Sequence, residues 1–237
     1  MQLAAILWDY DGTLVNSVPK NIDITKSILS IVAPHLTGNN LPKYLLSEAA
    51  YHIANHAAKN WQELYCKYYG LTESEMLKAG SLWAEHQNSN QTAVHLFDGI
   101  DRTIWQFSHI PHGICSQNSQ QNIRRVLKDN ELDDSFRAII GYDDVDNESQ
   151  KPHPSAGIKC LAKLFDDVVN KWVMYIGDHE ADAEFAKNIE AELGNGLKVV
   201  SVAASYSGAN PDEWRVKPDH VATNVSDLQT IILKYSA

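Results

Sequence analysis

Leu3-Ala4-Ala5-Ile6-Leu7-Trp8-Asp9-Tyr10-Asp11-Gly12-Thr13-Leu14 runs from an apolar stretch straight into two carboxylates and a glycine. An apolar run of this length bounded by a turn signal reads as a buried strand. Asp9 and Asp11 then sit where that strand ends. Charged groups at the mouth of a buried strand cost energy unless a metal, a cation or hydrogen bonds compensate them. In open α/β sheets, ligands bind at the carboxyl ends of the strands. The stretch therefore predicts a sheet with a metal and phosphate site at its rim.

Two textures follow. Residues 17–96 hold no β-rich run and carry helical spacing, as in Ile22, Thr25, Lys26, Leu29 and in Trp61, Leu64, Tyr65, Tyr68. Thr72 and Glu75 have the spacing of a capping box. This block reads as a bundle of about four helices. From Phe97 onward the pattern is strand and helix in alternation. Strands are expected at 113–116, 136–141, 172–176, 197–202 and 220–222, and helices at 99–108, 119–129, 154–165, 181–193 and 225–235. Apolar strands alternating with helices argue for a parallel sheet covered on both faces. The expected fold is α/β: a Rossmann-like parallel-sheet core, residues 1–16 and 97–237, with an inserted α-helical cap domain at 17–96.

Four segments bring distinctive polar residues to predicted strand ends or the loops beside them. They are Asp9 and Asp11; Ser116 after Gly113-Ile114-Cys115; Lys151-Pro152 before a helix; and Gly177-Asp178-His179-Glu180-Ala181-Asp182 after the apolar strand 172–176. These residue types suit phosphoryl chemistry. One carboxylate can attack a phosphate ester and carry the phosphoryl group. A second can protonate the leaving oxygen and later activate water. Mg²⁺ takes oxygen ligands and is held by one or two carboxylates plus substrate phosphate. A hydroxyl and a lysine can bind the phosphoryl oxygens.

Asp9-Tyr10-Asp11-Gly12-Thr13-Leu14 resembles the first motif of the haloacid dehalogenase-like (HAD) superfamily, D-x-D-G-T-[LV]. Ser116, Lys151 and Gly177-Asp178-x-x-x-Asp182 are similar to its second, third and fourth motifs, in the family's order. The resemblance spans nearly the whole chain. It lies closest to the phosphoglycolate-phosphatase-like and β-phosphoglucomutase-like branch, whose helical cap sits between the first two motifs. It implies Asp9 as nucleophile and Mg²⁺ ligand, and Asp11 as general acid/base offering its backbone carbonyl to the metal. It implies Asp178 as a direct metal ligand, Asp182 as an outer partner, and Ser116 and Lys151 as binders of the phosphoryl group. The acid at position 11 separates the chain from dehalogenases and phosphonate hydrolases of the superfamily. The implied activity is Mg²⁺-dependent hydrolysis of a small phosphorylated metabolite through an aspartyl-phosphate. A sugar phosphomutase would use the same Asp9 chemistry, and a binding protein on this fold would have lost it. Gln117-Asn118 after Ser116, and His179 after Asp178, depart from the usual pattern.

The net charge of −10 argues against nucleic acid and anionic lipid as partners. It also demands local positive charge or a metal wherever a phosphate binds. Cys66, Cys115 and Cys160 are few and widely spaced, as expected for free thiols in a reducing compartment. Residues 3–8 are too short for a signal peptide or membrane span, so a cytoplasmic protein is expected. His52 and His56 lie one helical turn apart, without an evident third ligand. His153 and His179 are expected in structural or rim roles, Trp61, Tyr65, Tyr68, Tyr69 and Trp83 in the cap core, and Asp143, Asp144, Asp146 and Glu148 in a solvated loop. Substrate identity and oligomeric state leave no signal in the sequence.

Overall fold

The computed structural model describes residues 3–236. The chain divides into two compact units, one holding the residues up to Asn16 and those from Leu96 onward, the other Ser17–His95. The elements run β1 (Leu3–Trp8), β2 (Val15–Asn16), α1 (Val18–Val32), α2 (Glu48–Ala57), α3 (Trp61–Glu63), α4 (Glu73–Ser89), β3 (His95–Leu96), α5 (Ile100–Gln106), β4 (His112–Cys115), α6 (Gln120–Asp129), β5 (Phe136–Ile140), α7 (Ser155–Leu164), β6 (Trp172–Gly177), α8 (Glu180–Leu193), β7 (Lys198–Ala204), β8 (His220–Ala222) and α9 (Val225–Ser236).

The larger unit is built on a six-stranded sheet of order β5-β4-β1-β6-β7-β8, every pair parallel. The expected parallel α/β core is borne out. Its central strands are apolar on both faces because helices cover both sides. On one face Ala5, Leu7, Val173 and Tyr175 meet Cys160 and Leu161 of α7 and Phe185 and Ile189 of α8. Register aligns the strand ends: Trp8 sits opposite both Ile114 and Ile176, and Cys115 opposite Ile140. Pairing continues one residue beyond, with Asp9 N–H donating to Ile176 O at 2.8 Å and Ser116 N–H to Ile140 O at 3.0 Å. The carboxyl ends of β1, β4 and β6 thus form one rim. Gly194, at φ +54°, closes α8 in the left-handed conformation that glycine adopts without strain.

The helical unit packs α1 against α4 around a core that includes Ile24, Ile28, Leu29 and Leu45. Thr72 caps α4 by accepting from Glu75 N–H at 3.3 Å, while Glu75 Oε2 accepts from Thr72 N–H at 2.8 Å, the box expected from the sequence. Three short 3₁₀ turns between residues 34 and 45, beside Pro34 and Pro42, replace continuous helix there. Helix α3 runs on into a five-residue π-turn, Leu64–Tyr68. Tyr65 and Tyr69 are buried as expected, and Tyr68 and Trp83 pack partly buried against the same core. Trp61 differs: it is 45% exposed, its ring lying over Gly80. The i,i+4 pair His52 and His56 has ring centroids 5.4 Å apart. No helix among the described residues is long and apolar enough to cross a membrane.

Candidate active site

Asp9 leaves β1 with its carboxylate buried, and Lys151 Nζ donates to its Oδ1 at 2.6 Å. The same ammonium donates to Asp182 Oδ1 at 2.7 Å and to Tyr175 Oη at 3.1 Å. Tyr175 Oη lies 3.1 Å from Cys115 O and 3.2 Å from Asp182 Oδ1, so β4 and β6 share one hydroxyl beneath the site. Asp182 reaches this point from the first turn of α8, where its Oδ2 also accepts from His179 N–H at 3.0 Å. Asp178 closes the cluster, with one oxygen each of Asp9, Asp178 and Asp182 within 4.8 Å of one another.

The electrostatics follow from burial. Desolvation pushes the Asp9 carboxyl well above its ordinary value, and Asp182 and Asp178 push the same way against the Lys151 cation. Desolvation opposes charge on Lys151 as well, yet Asp182 and Asp9 outweigh it and hold the ammonium firmly protonated. Three carboxylates thus face one ammonium. The cluster is all oxygen, it carries excess negative charge, and Asp182 already has both oxygens engaged. Such a donor set fits a hard divalent cation bound through Asp9 and Asp178.

Gly12 explains the turn. Its φ is +75°, and a Cβ there would lie 2.1 Å from Asp178 Oδ2. Only glycine lets the turn after β1 pass this close to a carboxylate. Ser116 Oγ accepts from Asn118 N–H at 3.1 Å, which leaves the hydroxyl hydrogen for another acceptor. Asp11 is half-buried and separate from the three-carboxylate cluster; its Oδ2 accepts from Asn118 Nδ2 at 2.9 Å.

Of the six residues singled out from the sequence, Asp9, Asp11, Ser116, Lys151 and Asp178 lie at the carboxyl rim of the sheet or on the loops beside it, and Asp182 reaches the rim from the first turn of α8. Others were not foreseen. Tyr175 sits in an otherwise aliphatic strand, and a buried tyrosine hydroxyl seeks a partner, which is the signal that could have found it. Tyr206 Oη donates to Thr13 O at 2.8 Å, and Ser207 Oγ donates to Ala204 O at 2.9 Å while lying 3.4 Å from Asp178 Oδ2; both lie on the loop after β7, where no motif marks them. His179 is the N-cap of α8, its Nδ1 accepting from Ala181 N–H at 3.1 Å. His153 Nδ1 lies 2.9 Å from Ser155 Oγ. Asp143 and Asp144 cap local backbone, accepting from Gln120 N–H at 3.0 Å and Gly141 N–H at 2.8 Å.

A parallel sheet with acid residues, a lysine and a serine at one rim defines an α/β enzyme of phosphoryl-type chemistry. The family model of the haloacid dehalogenase-like hydrolases matches residues 6–194, and the chain belongs to that family. The resemblance read from the four motifs is borne out. A pyrophosphatase PpaX from Bacillus mycoides is 25% identical over 234 residues, 98% of each chain. One from Listeria welshimeri is 23% identical over 249 residues, covering 98% of this chain and 97% of its own. Among solved structures, a candidate phosphoglycolate phosphatase from Lactobacillus plantarum superposes with a TM-score of 0.73 at 19% identity, over 99% of this chain and 100% of that one.

Proposed function

We propose that this chain is a Mg²⁺-dependent phosphatase of small phosphate esters or anhydrides, working through an aspartyl-phosphate on Asp9. The observation that carries this reading is the buried Asp9 carboxylate, 2.6 Å from the Lys151 ammonium and beside Asp178 at the carboxyl rim. An Asp9 oxygen attacks phosphorus, the new O–P bond forms, and the bond to the leaving oxygen breaks. Asp11 supplies the proton that the leaving oxygen takes up. Asp11 then accepts a proton from water as that water attacks phosphorus and the Asp9 O–P bond breaks. Ser116 and Lys151 hold the phosphoryl oxygens, where charge spreads in the transition state. Asp9, Asp178 and the backbone carbonyl of Asp11 would hold the Mg²⁺, which supplies positive charge to the carboxylate and phosphoryl oxygens. Asp182 serves Lys151 and the turn at His179.

The relatives named pyrophosphatases put inorganic pyrophosphate among the substrates to test, and they favour hydrolysis over phosphomutase chemistry. The helical unit is proposed as the source of substrate selectivity.

The test is phosphate release from pyrophosphate, phosphoglycolate, sugar phosphates, nucleotides and p-nitrophenyl phosphate, with Mg²⁺ or with chelator. The expected result is release that needs Mg²⁺ and falls to background in Asp9→Asn. Turnover that survives in Asp9→Asn would refute the aspartyl-phosphate. A sugar phosphate that isomerises without releasing phosphate would make the chain a mutase.

A further inference from the structure

Two buried amides lie behind Asp11. Asn118 and Asn122 are only 7% and 6% exposed, and Asn122 lies on the face of α6 that also buries Ile123 and Val126. Amides in such surroundings cost free energy unless their hydrogen bonds are made. Theirs run in one direction. Arg125 Nη2 donates to Asn122 Oδ1 at 2.7 Å, Asn122 Nδ2 to Asn118 Oδ1 at 3.1 Å, and Asn118 Nδ2 to Asp11 Oδ2 at 2.9 Å. The sense of the chain is fixed by the backbone. Ser119 N–H donates to Asn118 Oδ1 at 2.8 Å, so that atom is the oxygen and the Asn118 NH₂ must face Asp11. At the other end a guanidinium can only donate.

We infer that Asn118, Asn122 and Arg125 are positioning residues that dictate which oxygen of Asp11 carries the transferable proton. The inference rests on the proposed acid/base role of Asp11. The carbonyl oxygen of a carboxylic acid is the better acceptor, so an Oδ2 held by the amide N–H takes that role and the proton exchanged with the leaving group is assigned to Oδ1. From there it passes to the leaving oxygen as the P–O bond breaks, leaving Asp11 as a carboxylate with its Oδ2 hydrogen bond intact. Each donor in the chain polarises the next, and the Arg125 charge sits at its head. The arrangement keeps the acid aimed while its charge changes. Gln117-Asn118 after Ser116 is one of the places where the sequence departs from the usual pattern of the family it resembles. That departure supplies the first amide.

The leaving group separates positioning from mere structural support. A p-nitrophenolate leaves without needing a proton, whereas an alkoxide does not. The variants are Asn118→Ala, Asn122→Ala, Arg125→Ala and Arg125→Lys. Each is assayed for kcat/KM, which reports the steps through phosphorylation of Asp9, on p-nitrophenyl phosphate and on the fastest alkyl ester of the panel. Loss of an amide should cut the alkyl ester by about 10- to 100-fold, part of what general acid catalysis contributes, and p-nitrophenyl phosphate by less than about 3-fold. Arg125→Ala leaves both buried amides in place and changes an exposed side chain, so it folds even where the amide variants do not. It should show the same selectivity at about 2- to 5-fold, and Arg125→Lys should restore the alkyl rate. Equal losses on both substrates, or no loss on either, overturn the inference. Wild-type turnover abolished by Asp9→Asn shows in the same assay that the underlying phosphatase reading stands. An inactive wild type would instead bring down that reading and the inference with it.

Discussion

Acid should destabilise this protein through a histidine that never touches the reacting groups. His112 begins β4, 2% exposed, with its ring stacked 5.9 Å from Trp8. Trp8 Nε1–H donates to His112 Nδ1 at 2.9 Å, so Nδ1 must be unprotonated, and Nε2–H then donates to Phe107 O at 3.1 Å. Both nitrogens are engaged only in the neutral ring. Burial, aided by nearby His109, pushes the pKa down to about 4 from an ordinary 6.5, against the opposing pull of the Phe107 carbonyl. A depressed histidine means that the unfolded chain binds more protons than the folded one between these values. Its stabilising contribution is complete above 6.5 and drains away as the pH falls toward 4. Integrating between those values, stability should fall by about 2 kcal/mol from pH 7.5 to pH 5, and by about 3 kcal/mol once pH 4 is passed. The assay is urea unfolding followed by circular dichroism at both pH values, in the wild type and in His112→Gln, whose side-chain oxygen can still accept from Trp8. The variant should start less stable and lose little more on acidification. Parallel losses in the two proteins would refute the reasoning.

The Lys151 ammonium is buried against two carboxylates, so Lys151→Met should cost about 3–5 kcal/mol in urea unfolding; a loss under about 1 kcal/mol would mean that the pair is solvated. Adding Asp182→Asn to Lys151→Met should recover part of that loss, a non-additivity read from the same titrations. Gly12→Ala forces a side chain into the Asp178 carboxylate from a positive φ, so turnover should fall more than about 10-fold with about 1–2 kcal/mol of stability. Near-normal turnover would show that the turn can relax away from Asp178. Mg²⁺ at about one hundred times its dissociation constant should add about 2.7 kcal/mol, raising the melting temperature by about 5–10 °C. No rise in the wild type, or an equal rise in Asp178→Asn, would remove Asp178 from the ligand set.

Much of this was legible because it is local. An apolar run that ends in Asp9 and Asp11 announces a strand and its mouth, and strand-helix alternation announces a parallel sheet. Thr72 and Glu75 declare a helix start within four residues of chain. What stayed hidden depends on pairs far apart in sequence. Asn118 meets Asp11 across 107 residues, and Tyr175 meets Cys115 across 60. No periodicity encodes such meetings. Within α6, the stretch Gln120-Gln121-Asn122 reads as a polar helix start, and only the fold shows that Asn122 faces inward. Trp61 failed in the opposite sense: its spacing with Leu64, Tyr65 and Tyr68 marks one helical face, yet its place in the first turn of α3 leaves half the ring in water.

The charge balance of the rim ties these features together. A chain of net charge −10 repels the anions it is proposed to bind, and its long-range field offers them nothing. Attraction must then come from a few ångströms away, where low dielectric makes each charge count for more. Lys151 alone cannot provide it, because Asp9 and Asp182 already occupy its ammonium. A phosphoryl group entering beside Asp9 would meet two further carboxylates without another buried cation among the described residues of this cluster. Burial makes Asp9 reluctant to ionise, Asp182 and Asp178 add to that reluctance, and a divalent cation would relieve it. On this reading Asp178 serves as more than a fourth-motif signature. With Asp9 it would supply the charge that draws a divalent cation to the rim, and that positive charge would offset the carboxylates facing an incoming phosphate.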